Sequence, residues 1–184
     1  MNRFVVANPR RCIGCKACEI ACALAHLSVD VNAANENELP FIPRLSLVRA
    51  ARVTMPVQCR QCEDAPCANV CKEGAIVQKD GCNIVYDELC IGCKKCMVVC
   101  PFGAIDVKPL IVNDRTVAQH GLQADGAAKE VFVTQKCDLC LGRSEGPACV
   151  AICPGDAFVI VDDEMLKETT KNKRFAAAKE IGKL

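Results

Sequence analysis

Apolar positions gather in short β-branched runs, each set beside a polar loop dense in cysteine. Arg3-Phe4-Val5-Val6 stands before the first such loop, Asn83-Ile84-Val85-Tyr86 before the third and Val131-Phe132-Val133 before the fourth. Ala75-Ile76-Val77, Ala104-Ile105-Asp106-Val107 and Ala157-Phe158-Val159-Ile160-Val161 follow later loops. The pattern predicts one repeating unit: a short strand, a cysteine loop, a short helix and a second strand. Pro101 and Pro154 stop their helices, since proline cannot continue the backbone ladder. The chain also repeats itself: RCIGCKACEIAC at 11–22 nearly coincides with LCIGCKKCMVVC at 89–100.

Three segments fall outside the repeat. Residues 26–56 hold a polar stretch from Asn32 to Glu38 and then a predicted strand at Leu45-Ser46-Leu47-Val48. Residues 109–128 read as a hairpin or loop insertion, being rich in Gly, Ala, Asp and Asn. From Asp162 onward the chain reads as a helix with acids first and bases last, which suits the helix dipole. Asp163–Lys167, Glu164–Lys167 and Glu168–Lys171 have supportive spacings. Met165 and Leu166 are expected to touch the body of the protein; Phe175, Ile181 and Leu184 face elsewhere.

The cysteines change the picture most. Sixteen of the seventeen fall into four quartets: Cys12, Cys15, Cys18, Cys22; Cys59, Cys62, Cys67, Cys71; Cys90, Cys93, Cys96, Cys100; and Cys137, Cys140, Cys149, Cys153. The first and third read C-x2-C-x2-C-x3-C, the bacterial run that grips an iron–sulfur cube. The second and fourth carry insertions of two and six residues. Three thiolates from one tight loop wrap one face of the cube, and the fourth, expected where a helix begins, serves the other cluster of a pair. With no Trp, one Tyr and six Phe, large aromatics cannot fill much of a core. Metal–thiolate bonds are expected to supply folding energy in their place.

Other chemistry fits less well. Zinc knots pair cysteines across roughly 15–20 residues, whereas these quartets are compact and only His26 and His120 are present. A secreted disulfide scaffold is opposed by the odd cysteine count and by an opening, MNRFVVANPRRCIG, without a signal-peptide pattern. No run approaches the roughly 18 apolar residues of a membrane span, and a net charge of +1 argues against nucleic acid as a partner. A cytoplasmic, reduced setting is expected. No phosphate-cradling glycine motif occurs, and four-thiolate clusters leave no iron open, so no catalytic residue is assigned. Cys82, the seventeenth cysteine, is read as a half-buried free thiol. His26 and His120 are read as local hydrogen-bonding residues, and Arg60, Lys94, Lys95 and Arg143 as a solvated face beside the loops.

The quartets, with CRQCEDAPCANVC at 59–71, CIGCKKCMVVCPFGA at 90–104 and KCDLCLGRSEGPACVAICP at 136–154, resemble the four-cluster electron-transfer subunits of molybdenum and tungsten oxidoreductases, the dimethyl sulfoxide reductase β-subunit family. The opening is similar to the small subunits of formate hydrogenlyase and related formate dehydrogenase–hydrogenase complexes, those reducing CO2 with hydrogen among them. Lys72 departs from the pattern, where the family often has proline.

The resemblance implies an α+β fold of two bacterial ferredoxin-like modules, each with two [4Fe–4S] clusters, in a tandem-nested arrangement with a C-terminal helix. The outer module would span 1–56 plus 110–161, the inner one 57–109, and the helical tail 162–184. Carried over, cluster 1 takes Cys12, Cys15, Cys18 and Cys153, and cluster 2 takes Cys22, Cys137, Cys140 and Cys149. Cluster 3 takes Cys71, Cys90, Cys93 and Cys96, and cluster 4 takes Cys59, Cys62, Cys67 and Cys100. The implied role is a non-catalytic subunit relaying electrons between a molybdenum or tungsten formate dehydrogenase catalytic subunit and a hydrogenase or another iron–sulfur subunit. Beyond the resemblance, apolar positions on two sides of the tail point to an assembly arm that meets partners or further copies through Phe175, Ile181 and Leu184. The alternative is a freestanding polyferredoxin serving several oxidoreductases.

Overall fold

A computed structural model of the chain describes residues 1–27, 41–112, 114–120 and 128–181. The polar stretch Asn32 to Glu38 and Leu184 lie outside the described residues, as do most of the 109–128 loop tip and the side chain of His120.

The strands expected beside the cysteine loops are present and pair in antiparallel twos. β1 (Phe4–Ala7) pairs with β12 (Phe158–Val161), so the segment before the first quartet meets the segment after the fourth. β4 (Ile76–Lys79) and β5 (Cys82–Val85) join the second quartet to the third. Their two-residue loop is Asp80-Gly81, both left-handed at φ 51° and 71°, the turn whose twist matches an antiparallel hairpin. β6 (Asp106–Pro109) pairs with β11 (Phe132–Gln135), linking the end of the third quartet to the start of the fourth.

The helices are short. α1 (Ala17–Ala25) packs against α4 (Ala148–Ala151), and α2 (Pro66–Asn69) against α3 (Lys95–Val99). The fourth cysteine of a run does not begin a helix, as the spacing suggested. The helix starts after a left-handed lysine, Lys16 or Lys94, and Cys100 closes α3. α1 runs past Cys22 because Ala23 and Leu24 continue it, whereas Pro101 ends α3.

The strand predicted at 45–48 is β2 (Ser46–Ala50), which forms a hairpin with β3 (Val53–Val57). The 109–128 insertion contains the hairpin β7 (Ile111–Val112) with β8 (Arg115–Thr116), and β9 (Ala118–His120) paired with β10 (Ala128–Glu130). The tail is one helix, α5 (Asp163–Ile181), capped by Asp162, whose Oδ1 accepts a 2.9 Å bond from the Met165 amide. None of its residues is buried. Met165 is half-buried but Leu166 is exposed, and the three anticipated ion pairs along it do not close. No helix among the described residues is long and apolar enough to cross a membrane.

Thiols and small aliphatics make the interior. One buried group joins Val5, Leu45 and Phe158 to Cys18, Cys22, Cys59, Cys82, Cys137 and Cys149. A second joins Ile76, Ile105 and Val107 to Cys67, with Cys90, Cys96 and Phe132 against it. This is the thin core that the composition foretold.

Candidate metal centres

Each cysteine loop contains the same backbone device. The residue before the second cysteine is left-handed in all four: Gly14 (φ 72°), Gln61 (49°), Gly92 (70°) and Leu139 (59°). Glycine adopts that conformation freely, whereas Gln61 and Leu139 hold it at a cost of about 1 kcal/mol or more. The twist turns amides onto sulfur: Gln61 N–H donates to Cys59 Sγ at 3.3 Å and Leu139 N–H to Cys137 Sγ at 3.4 Å. Beyond the last cysteine of the third and fourth quartets a second donor recurs. Ala104 N–H reaches Cys100 Sγ at 3.4 Å and Ala157 N–H reaches Cys153 Sγ at 3.3 Å.

These loops surround three cavities, each with four cysteines drawn from two quartets. Cys12, Cys15, Cys18 and Cys153 line one. Cys71, Cys90, Cys93 and Cys96 line the largest, about 70 Å³. Cys59, Cys62, Cys67 and Cys100 line the third. The remaining four are also near one another. Cys22, Cys137 and Cys149 share one buried core. Burial raises the Cys137 thiol well above its usual range, with Cys149 and Cys22 adding to the push. Cys140 lies beside His26, whose Nδ1 meets the Cys22 carbonyl at 2.7 Å and whose Nε2 meets Asp138 at 2.9 Å.

Soft donors in fours, low-polarity walls and amides aimed at sulfur suit a thiolate-held iron–sulfur cube. Burial pushes Cys18 and Cys96 up to about 11 and Cys149 to about 12. Loading metal therefore releases protons, since only thiolates ligate. Cys140 is the exception. Burial would raise it, but the His26 hydrogen bond and the Ala148 amide outweigh that and lower it.

His26 is more than a locally bonded surface residue. Burial alone would lower it, yet its bonds to Asp138, Cys140 and Cys22 hold it up at about 12. Asp138, against burial, is lowered to about 2 by His26 and by Arg44, whose Nη1 lies 2.5 Å from its Oδ2. The ligand atoms of His26, Asp138 and Cys140 lie within 4.8 Å of one another, but Asp138 is already engaged by those two cations. Cys82 is not half-buried: it is 2% exposed and its Sγ donates to the Asp138 carbonyl at 3.1 Å. Arg60 lies over the Phe102 ring, Arg143 pairs with Glu145, and Lys94 and Lys95 are exposed. Lys72 leaves its turn intact. Gly74 N–H bonds Cys71 O at 3.3 Å, as Gly103 N–H bonds Cys100 O.

Sequence reasoning missed a buried polar group: Lys136, Gln61 and Asn83, each 1–2% exposed. Only the position of Lys136 and Gln61 against cysteines hinted at it.

Residues 82–154 match the family model described as a 4Fe–4S dicluster domain. The electron transport protein HydN of Escherichia coli K12 is 43% identical over 176 residues, covering 95% of this chain and 96% of HydN. Hydrogenase-4 component A of the same organism is 39% identical over 199 residues, covering 97% and 91%. An iron–sulfur protein of Rhodospirillum rubrum is 41% identical over 191 residues, covering 99% and 92%. With cysteine loops built to hold 4Fe–4S clusters and relatives matched from end to end, the chain belongs to the 4Fe–4S electron-transport proteins of which HydN and hydrogenase-4 component A are members.

Proposed function

We propose that the chain carries four [4Fe–4S] clusters, in the groups given above, and relays electrons between a formate dehydrogenase catalytic subunit and a hydrogenase or similar redox partner. The observation that carries the reading is the set of three cavities, each lined by three cysteines of one quartet and one of another. That is the exchange of the fourth ligand found in two-cluster ferredoxins. The α1–α4 and α2–α3 contacts support two nested ferredoxin-like modules, the outer from quartets one and four and the inner from two and three. Of the sixteen ligands only Cys15 and Cys93 are exposed, which supports clusters 1 and 3 as the ends of the line and clusters 4 and 2 as its middle.

A relative named for hydrogenase supports a hydrogenase-type acceptor, and α5, with exposed Phe175 and Ile181, offers a surface for further copies. With every cluster held by four thiolates, one to each iron, no iron is left open, and each cluster takes one electron and passes it on. The subunit does no substrate chemistry of its own. Anaerobic purification followed by metal and sulfide analysis tests the reading. About 16 iron and as many labile sulfides per chain are expected, and stoichiometric zinc without sulfide would overturn it.

A further inference from the structure

Lys136 heads the fully buried side chains of the described residues by size, at 2% exposed, and stands directly before Cys137. Its Nζ donates to the Asn83 carbonyl, to the Cys137 carbonyl at 3.2 Å and to Gln61 Oε1 at 3.5 Å. Three oxygen acceptors match the three donors of an ammonium group, which is how a buried ion is retained. Among the described residues no carboxylate pairs with it.

Its partners tie two cysteine loops together. Gln61 lies between Cys59 and Cys62, and its Nε2 donates to the Cys137 carbonyl at 2.7 Å. Asn83 donates from its amide nitrogen to Gln61 Oε1 at 2.8 Å and from Nδ2 to the Cys62 carbonyl at 2.9 Å. Cys59 and Cys137 belong to one buried core. The field of the ammonium reaches the neighbouring sulfurs: burial pushes the Cys67 and Cys82 thiols up, and Lys136 pulls against it at both.

We propose that Lys136 is a positioning residue for electron transfer, a fixed cation at the seam that raises the reduction potentials of the two clusters it adjoins. Those are the cluster on Cys59, Cys62, Cys67 and Cys100 and the cluster on Cys22, Cys137, Cys140 and Cys149; the inference rests on the four-cluster reading. A cluster that gains one electron becomes more negative, so a nearby cation stabilises the reduced form more than the oxidised one. No bond is made or broken. The other two clusters have an exposed cysteine each and lie where solvent and salt screen a distant charge. The middle of the line is therefore easier to reduce than its thiolate sets alone would make it.

The test is an anaerobic redox titration of the holoprotein with dithionite and mediators, followed by electron paramagnetic resonance, on wild type, Lys136→Met and Gln61→Glu. Lys136→Met removes the charge. Gln61→Glu keeps an acceptor in place and sets a carboxylate against the ammonium. In each variant two of the four midpoints move to lower potential and two stay. If Lys136→Met fails to load clusters, Lys136→Gln, which removes the charge but keeps a hydrogen-bond donor, takes its place. Midpoints that are all unchanged, or all shifted equally, in a variant with wild-type iron and sulfide would reduce Lys136 to a structural tie. Iron and labile sulfide short of four cubanes in the wild-type protein would instead overturn the four-cluster reading itself.

Discussion

The first and third cysteine loops are written almost alike, CIGCK at 12–16 and at 90–94, yet they are held in different ways. Both use a left-handed glycine and a left-handed lysine, and both expose their second cysteine. The first loop is tied down by polar bonds from a segment outside the repeat. Arg49 donates to the Gly14 carbonyl at 2.7 Å, and Glu19 accepts from the Leu47 amide at 2.7 Å. The hairpin β2–β3 supplies Leu47 and Pro56 to the cavity wall. The third loop is backed instead by the hairpin β4–β5, which supplies Ile76 and Val85 to its cavity wall, and by the Phe132 ring; its cavity is also lined by Lys72, Glu73 and Lys95. The loop sequence thus fixes how thiolates are presented, while the surroundings fix how firmly each loop is held and what charge faces it.

The largest effect comes from breaking the exchange of ligands between quartets. Cys153→Ala is expected to cost the cluster on Cys12, Cys15 and Cys18, about 4 of 16 iron atoms, although residue 153 is far from them in sequence. The corresponding Cys71→Ala should strip the cluster on the third loop. Iron, sulfide and reduced-cluster counting decide between this and quartets that each hold their own cluster, in which case Cys153→Ala would spare the first loop.

Next in size are the two loop glycines. A Cβ at Gly92 would lie 2.5 Å from the Phe132 ring, and one at Gly14 would lie 3.0 Å from the Thr54 methyl. Both positions also charge an L-residue about 1–2 kcal/mol for the left-handed backbone. Gly92→Ala adds overpacking of about 1–3 kcal/mol, so it should lower the urea midpoint for cluster bleaching more than Gly14→Ala. Phe132→Ala should relieve part of the extra cost in the double variant; equal midpoints for the two glycine variants would contradict the packing difference.

Smaller again is Arg49→Ala. Loss of one part-buried charge-assisted bond to the Gly14 carbonyl should cost about 0.5–1 kcal/mol. Its signature is selective: chelator-driven loss of the first-loop cluster speeds up while the third-loop cluster is unaffected. Equal acceleration at both would mean the hairpin does not hold the loop.

What the sequence made legible follows from periodicity and spacing. β1, β5, β11 and β12 were visible as β-branched runs beside cysteines, and the four-cysteine groups lining the cavities were implied by ligand spacing together with a family resemblance. The helix starts were misplaced because left-handed Lys16 and Lys94 carry no side-chain cap that a sequence displays. β3 escaped notice because Val53–Val57 contains Pro56, which argues against a strand unless it lies on an edge. Lys136, Gln61 and Asn83 read as ordinary polar residues, since their burial depends on contacts between loops far apart in the chain. The same holds for Cys82, whose partner carbonyl at Asp138 is 56 positions away.

That last contact sets the smallest effect and ties the segment before the third quartet to the fourth quartet. Cys82 leads into the third quartet, and its thiol bonds a carbonyl in the fourth, so Cys82→Ala should leave all four clusters loaded. The variant loses one hydrogen bond and little volume, about 1 kcal/mol at neutral pH. Burial, against the pull of Lys136, pushes the thiol from 9.0 up to about 11. The folded state therefore favours the protonated form. Its contribution is complete below pH 9 and is lost as pH rises from 9 through 11, where the unfolded chain has already released the proton. Alanine has no proton to hold, so the deficit of the variant should shrink over that window. Urea midpoints of the two proteins, compared between pH 8 and pH 10.5, report it directly. A gap that stays constant would mean the thiol is solvated in the folded protein and the contact to Asp138 does not form.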